Sequence, residues 1–123
     1  MQTMRFDFPK IKVQIKNIAY CVSFSGRMNR QSFQRFLGIV FSILFLIHLL
    51  GLIVNGLKML IVVCFMISII PIFSAIVRRF HDFGRSGWYL FLLLIPLVGQ
   101  FAFAMLFFAS GNSGTNQYGK VNL

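Results

Sequence analysis

The chemistry available to this chain is concentrated in Arg78-Arg79-Phe80-His81-Asp82-Phe83-Gly84-Arg85-Ser86-Gly87-Trp88, where guanidinium, imidazole and carboxylate groups share one short stretch. Guanidinium forks bind phosphate oxygens in a bidentate way. Arg78, Arg79 and Arg85 are therefore candidates for an anion or lipid-headgroup site, with His81 able to respond to pH. Arg27 and Arg30 offer the same chemistry upstream. The competing reading is a structural clasp, in which Asp82 pairs with Arg78, Arg79 or Arg85, Gly84 and Gly87 supply freedom for a chain reversal, and Trp88 sits at the interface. Removing Asp82 separates the two, because a clasp loses stability whereas an anion site gains affinity.

Enzyme chemistry has little to work with. The chain holds two carboxylates, two histidines and two cysteines, none at a recognised nucleophile or metal-ligand spacing. His81 beside Asp82 is no triad, since adjacent side chains seldom face one another and no activated nucleophile accompanies them. No catalytic residue, metal or cofactor is expected, and the chain is read as a non-enzyme. Cys21 falls before the first apolar run and Cys64 inside the second, so a disulfide between them is not expected.

The elements that must position these groups are three apolar runs. Residues 36–54 carry His48 as their one acidic or basic side chain, and residues 59–77 and 88–109 carry no Asp, Glu, Lys, Arg or His. At about 1.5 Å per residue each run covers roughly the 30 Å hydrocarbon core of a bilayer. A chain of 123 residues cannot surround three such helices with soluble structure. The expected fold is all-α and integral to the membrane: three transmembrane helices preceded by a short basic amphipathic N-terminal segment, residues 1–35, and followed by a polar tail, residues 110–123, in a single domain. The first apolar run starts late and no small-residue cleavage site follows it, so these segments are expected to stay in the mature protein.

Charge sets the orientation. Of twelve Lys and Arg residues, ten precede the first run or lie in the 78–86 loop, and only Lys58 and Lys120 fall on the other side of a three-span path. The positive-inside bias then places the N-terminus and the loop in the cytoplasm and the C-terminal tail on the outer side. Pro96 and Gly99 leave open an alternative in which the third run re-enters and returns the tail to the cytoplasm. Asn55-Gly56-Leu57-Lys58 reads as a tight turn, making the first two helices an antiparallel hairpin. The net charge of +10 flanks membrane spans, so anionic lipid headgroups rather than nucleic acid are the expected partner, at about 1 kcal/mol per basic side chain near the surface.

Local patterns refine this. Lys10-Ile11-Lys12-Val13-Gln14-Ile15-Lys16 alternates polar and apolar residues, as a short strand, an interfacial segment or a flexible basic tail would. Ser23 or Ser25 is a candidate helix cap, after which Arg27 and Arg30, one turn apart, would lie together at headgroup height with Phe33 and Phe36 toward acyl chains. Within the spans, His48, Ser68 and Gln100 are the polar groups of interest. Their stripes of small and polar neighbours fit helix packing, and the alternative is an ion or proton route in a homo-oligomer.

Three motifs in order resemble those of the YhaH-like family of small bacterial inner-membrane proteins, a domain-of-unknown-function family. Phe24, Gly26, Arg27, Arg30 and Phe33 match its first pattern, the 78–88 stretch its second, and Gly111, Gly114, Asn116, Tyr118 and Gly119 its tail pattern, with Ser113 and Gln117 replacing an expected proline and arginine. The resemblance implies a multi-pass inner-membrane protein of unsettled activity. Together with the residue reading it points to a non-enzymatic membrane component acting through lipid-headgroup or membrane-protein contacts, the alternative being an oligomeric pore or transporter subunit that uses His48 and Gln100.

Overall fold

Two long helices organise the chain, and the first is started by Asn29. Its Oδ1 accepts a hydrogen bond from the Ser32 N–H at 2.8 Å, capping α1, Arg30–Ile53. A computed structural model describes residues 19–120 apart from the Asn55 side chain; the Lys10–Lys16 alternation lies outside the described residues. The expected cap at Ser23 or Ser25 is not used. Those residues belong to an irregular stretch in which Ser23 Oγ accepts from the Ser25 N–H at 3.2 Å.

α1 leads through a short 3-10 turn, Asn55–Leu57, into α2, Lys58–Asp82. With 24 and 25 residues, both helices exceed the roughly 20 residues needed to cross hydrocarbon. The expected antiparallel hairpin is present. It closes most tightly where Gly51 of α1 meets the Ile61 side chain of α2, leaving no room for a Cβ on Gly51. Pro71 sits within α2 without ending it.

The third apolar run departs from the expectation of one helix over 88–109. It forms a 3-10 helix, Gly87–Leu94, then reverses and forms α3, Val98–Phe108, of 11 residues. Pro96 explains the break, because it lacks an N–H and pushes Ile95 to extended backbone, with φ −85° and ψ 118°. Leu97 then takes φ 68° and ψ −58° while the Val98 N–H bonds the Pro96 carbonyl at 2.8 Å, a γ-turn of the strained hand. The two arms of this hairpin touch through Gly99, where a Cβ would lie 2.5 Å from the Leu93 carbonyl oxygen. At 1.5 Å per residue α3 is about 16 Å long, half a bilayer core.

The core lies at one end of the helix pair, where Met28, Phe33, Leu37, Ala75, Ile76, Phe80 and Leu106 are buried together. From Ile39 to Phe73 most large apolar side chains are exposed, the pattern of helices that meet lipid rather than protein. The polar tail is at the core end too. A path of three full spans would have put residues 110–123 at the Asn55–Lys58 end; instead the Gly114 and Gly119 carbonyls accept hydrogen bonds from Arg27.

Two substitutions in the hairpin should act in opposite directions. Leu97→Gly relieves the positive φ and should raise stability by about 1 kcal/mol, whereas Gly99→Val meets backbone and should lower it by about 1–3 kcal/mol. Thermal unfolding in detergent measures both.

A buried arginine and aspartate cluster as the candidate functional site

The last turns of α2 place Arg79 and Asp82 three residues apart on one helix face, and the irregular stretch before α1 brings in Arg27. Arg27 donates from Nε and Nη2 to Asp82 Oδ1 at 3.1 and 2.9 Å, while Arg79 Nη1 pairs with Oδ2. All three side chains are buried, Arg27 and Arg79 completely and Asp82 to within 2% of full burial. A buried ion pair holds only when its remaining donors and lone pairs also find partners. Here they do.

Arg27 donates further to the carbonyls of Asn112, Gly114 and Gly119, and the Asp82 carbonyl accepts the Asn112 N–H at 2.9 Å. Gly111 passes so close that a Cβ there would overlap the Asp82 carboxylate. Arg79 donates to the carbonyls of Leu106, at 2.8 Å, and Ala109, and its guanidinium lies over the Phe83 ring. Gln34 and Arg30 take the two carbonyls between, Phe107 at 2.7 Å and Phe108 at 3.1 Å. Four consecutive carbonyls at the end of α3 thus receive side-chain donors, three of the bonds from guanidinium groups suited to the negative end of a helix.

His81 joins the other two motifs. Its Nδ1 is 3.1 Å from the Gly26 carbonyl oxygen, which can only accept, so the proton is assigned to Nδ1. Its ring stacks on Tyr118 at 3.8 Å with planes 2° apart, and its backbone carbonyl accepts from Asn116 Nδ2 at 2.8 Å. Gly26 and Gly84 have φ of 86° and 69°, so both turns need glycine. Gly87 packs on Val77.

Asp82 pairs with Arg79 and with Arg27, not with Arg78 or Arg85. Arg27 and Arg30 do not lie side by side at headgroup height, because α1 starts after Arg27: Arg27 is buried and Arg30 exposed. Phe33 is fully buried in the core instead of turned to acyl chains, and Phe36 packs beside it. Arg85 is exposed, 5.6 Å from the Tyr89 ring centre, and Trp88 is exposed outside the cluster. Arg78 is buried over Tyr20 on a different face of α2. The tail carbonyls of Asn112, Gly114 and Gly119 escaped sequence reasoning, since any residue type supplies a carbonyl; the nearest signal was the glycine spacing.

The polar residues of the apolar runs are not brought together. His48 borders an apolar cleft with Phe41, Phe45, Ile61 and Phe65, Gln100 borders another with Leu93 and Phe103, and Ser68 donates to its own helix at Phe65, 2.7 Å away. Cys21 and Cys64 are free thiols. Beside the cluster, Arg30 and Lys120 border an open polar cleft of about 570 Å³ with Asn29, Gln31 and residues 110–115.

Residues 21–120, which contain all three converging motifs, match the family described as protein of unknown function, DUF805. The chain belongs to the DUF805 family. Inner membrane protein YhaI of Escherichia coli (strain K12) is 35% identical to this DUF805 chain over 102 residues, covering 80% of it and 84% of YhaI. Inner membrane protein YhaH of the same strain is 26% identical over 110 residues, covering 85% of this chain and 91% of YhaH. No solved structure matches. The resemblance read from the motifs is therefore real, and residues from all three motifs meet in one cluster.

Asp82→Asn leaves two buried guanidinium groups without their carboxylate and should destabilise the protein by about 3–5 kcal/mol. Gly111→Ala should also be strongly destabilising, and Arg85→Gln, at an exposed position, should change stability by no more than about 0.5 kcal/mol. Denaturant unfolding of the detergent-solubilised chain distinguishes the three.

Proposed function

We propose that this DUF805 protein is a multi-pass inner-membrane protein in which α1 and α2 cross the bilayer, Gly87–Phe108 enters it and returns, and the Arg27–Asp82 cluster caps the cytoplasmic face. In this reading the tail is cytoplasmic, not periplasmic. The observation that carries it is the set of hydrogen bonds from Arg27 to Asn112, Gly114 and Gly119, which binds the tail to the segment ahead of α1. Charge distribution supports the same arrangement: with the tail returned, Lys120 joins the ten basic residues already on that side, so eleven of the twelve lie together and Lys58 alone lies opposite. The names of YhaI and YhaH as inner membrane proteins support the location.

Its molecular role in this proposal is that of a non-enzymatic membrane component. Arg27 and Arg79 direct their donors at protein oxygens, which makes them scaffold, and Arg30, Arg35, Arg85 and Lys120 remain exposed for anionic headgroups or an acidic face of another membrane protein. That His48 and Gln100 border separate clefts favours this reading over an intramembrane pathway within one chain.

Reporter fusions in living bacteria test the arrangement. A fluorescent protein fused after Leu123 should fluoresce and alkaline phosphatase fused there should be inactive, while phosphatase inserted at Gly56 should be active. An active phosphatase after Leu123 would refute the returning third run.

A further inference from the structure

One buried charge takes no part in the cluster. Arg78 is fully buried, yet among the described residues its Nη1 and Nη2 find no hydrogen-bond partner, and Nε reaches its own helix at the Ser74 carbonyl, 3.4 Å away. A guanidinium cannot shed its proton, so the charge stays and asks for an anion. The chain has two acidic side chains, and among the described residues the one present, Asp82, is occupied by Arg27 and Arg79. Tyr20 lies over the guanidinium, with its ring centre 4.2 Å from Cζ, and no carboxylate among the described residues faces the Nη1 and Nη2 edge.

The setting is specific. Ser74, Arg78 and His81 share one face of α2, and the stretch 20–27 runs along it, tied by Ser74 Oγ to the Ser23 carbonyl, by the Met28 N–H to the Arg78 carbonyl at 3.1 Å, and by His81 to Gly26. Outward from that stretch Tyr20, Val22 and Phe24 are 38, 46 and 48% exposed. An apolar fringe next to a buried, unpaired arginine is what an amphiphile with a phosphate between headgroup and acyl chains would require.

We propose that Arg78 is a binding site for a phosphate-bearing anion, supplied by a phosphodiester lipid whose chains lie against Tyr20, Val22 and Phe24. Entry displaces the 20–25 stretch from the edge of the guanidinium. The proposal names a ligand for one face of the membrane component described above and rests on that reading for the depth of Arg78; because it is tested in detergent, its failure is separable from failure of the topology.

The test is thermal unfolding of the full chain in neutral detergent with phosphatidylglycerol, phosphatidylcholine or inorganic phosphate added. Phosphatidylglycerol should raise the melting temperature of the unaltered protein and of Arg85→Gln by about 5 °C. It should have no effect on Arg78→Gln and bind Arg78→Lys about tenfold more weakly, since an ammonium keeps the charge and loses the fork. An equal shift with inorganic phosphate supports the anion site and assigns it to a free phosphate instead of a lipid. No shift of the unaltered protein with either anion, or the same shift in Arg78→Lys as in the unaltered protein, overturns the proposal, and both readings hold even if Arg78→Gln does not fold.

Discussion

Everything at the polar end of this protein depends on one carboxylate shared by two buried guanidinium groups. Asp82 neutralises Arg27 from the stretch before α1 and Arg79 from its own helix, and it does so almost out of reach of solvent. Three buried charges hold together only if every remaining donor and acceptor is met. The chain meets them with backbone carbonyls taken from residues 106–119. The salt bridge therefore dictates where the tail must run, and the tail in turn dictates that the third apolar run comes back.

The same constraint accounts for the shape of that run. An 11-residue helix ending in apolar surroundings exposes carbonyls it cannot satisfy. Arg30, Gln34 and Arg79 satisfy them from α1 and α2. A helix too short to cross a bilayer becomes tenable because its end is anchored in the cluster, and the strained turn at Leu97 is the local consequence of reversing there. Of the three arginines in the 78–88 motif, Arg79 is scaffold for the hairpin, while Arg85 is exposed and Arg78 lies outside the cluster.

The two long helices and their turn were legible in the sequence, because uncharged runs bounded by charge and an Asn-Gly dipeptide are local signals. Within the third run the break at Pro96 and Gly99 was visible, but its meaning was not, since proline and glycine also occur in spanning helices and the decisive contact, Gly99 on Leu93, depends on how the chain folds back. The clasp was legible through Asp82 and Arg79. Arg27 was misplaced because a one-turn spacing to Arg30 assumes a helix already formed at Arg27, whereas α1 starts at Arg30 behind its Asn29 cap. Its pairing with Asp82 spans 55 residues, a separation no local pattern encodes, and the carbonyls it binds carry no side-chain signature at all.

The central claim is that Arg27 and Asp82 act as one unit. The most direct measurement is a double-mutant cycle on unfolding free energy with Arg27→Gln, Asp82→Asn and the double variant in the full chain. We expect strong non-additivity, the double variant being more stable than the sum of the single losses implies by about 2–3 kcal/mol, because Asp82→Asn leaves Arg27 buried without its carboxylate, a penalty that vanishes once Arg27 is also replaced. Additive losses within about 0.5 kcal/mol would mean that the two residues contribute independently and would contradict it.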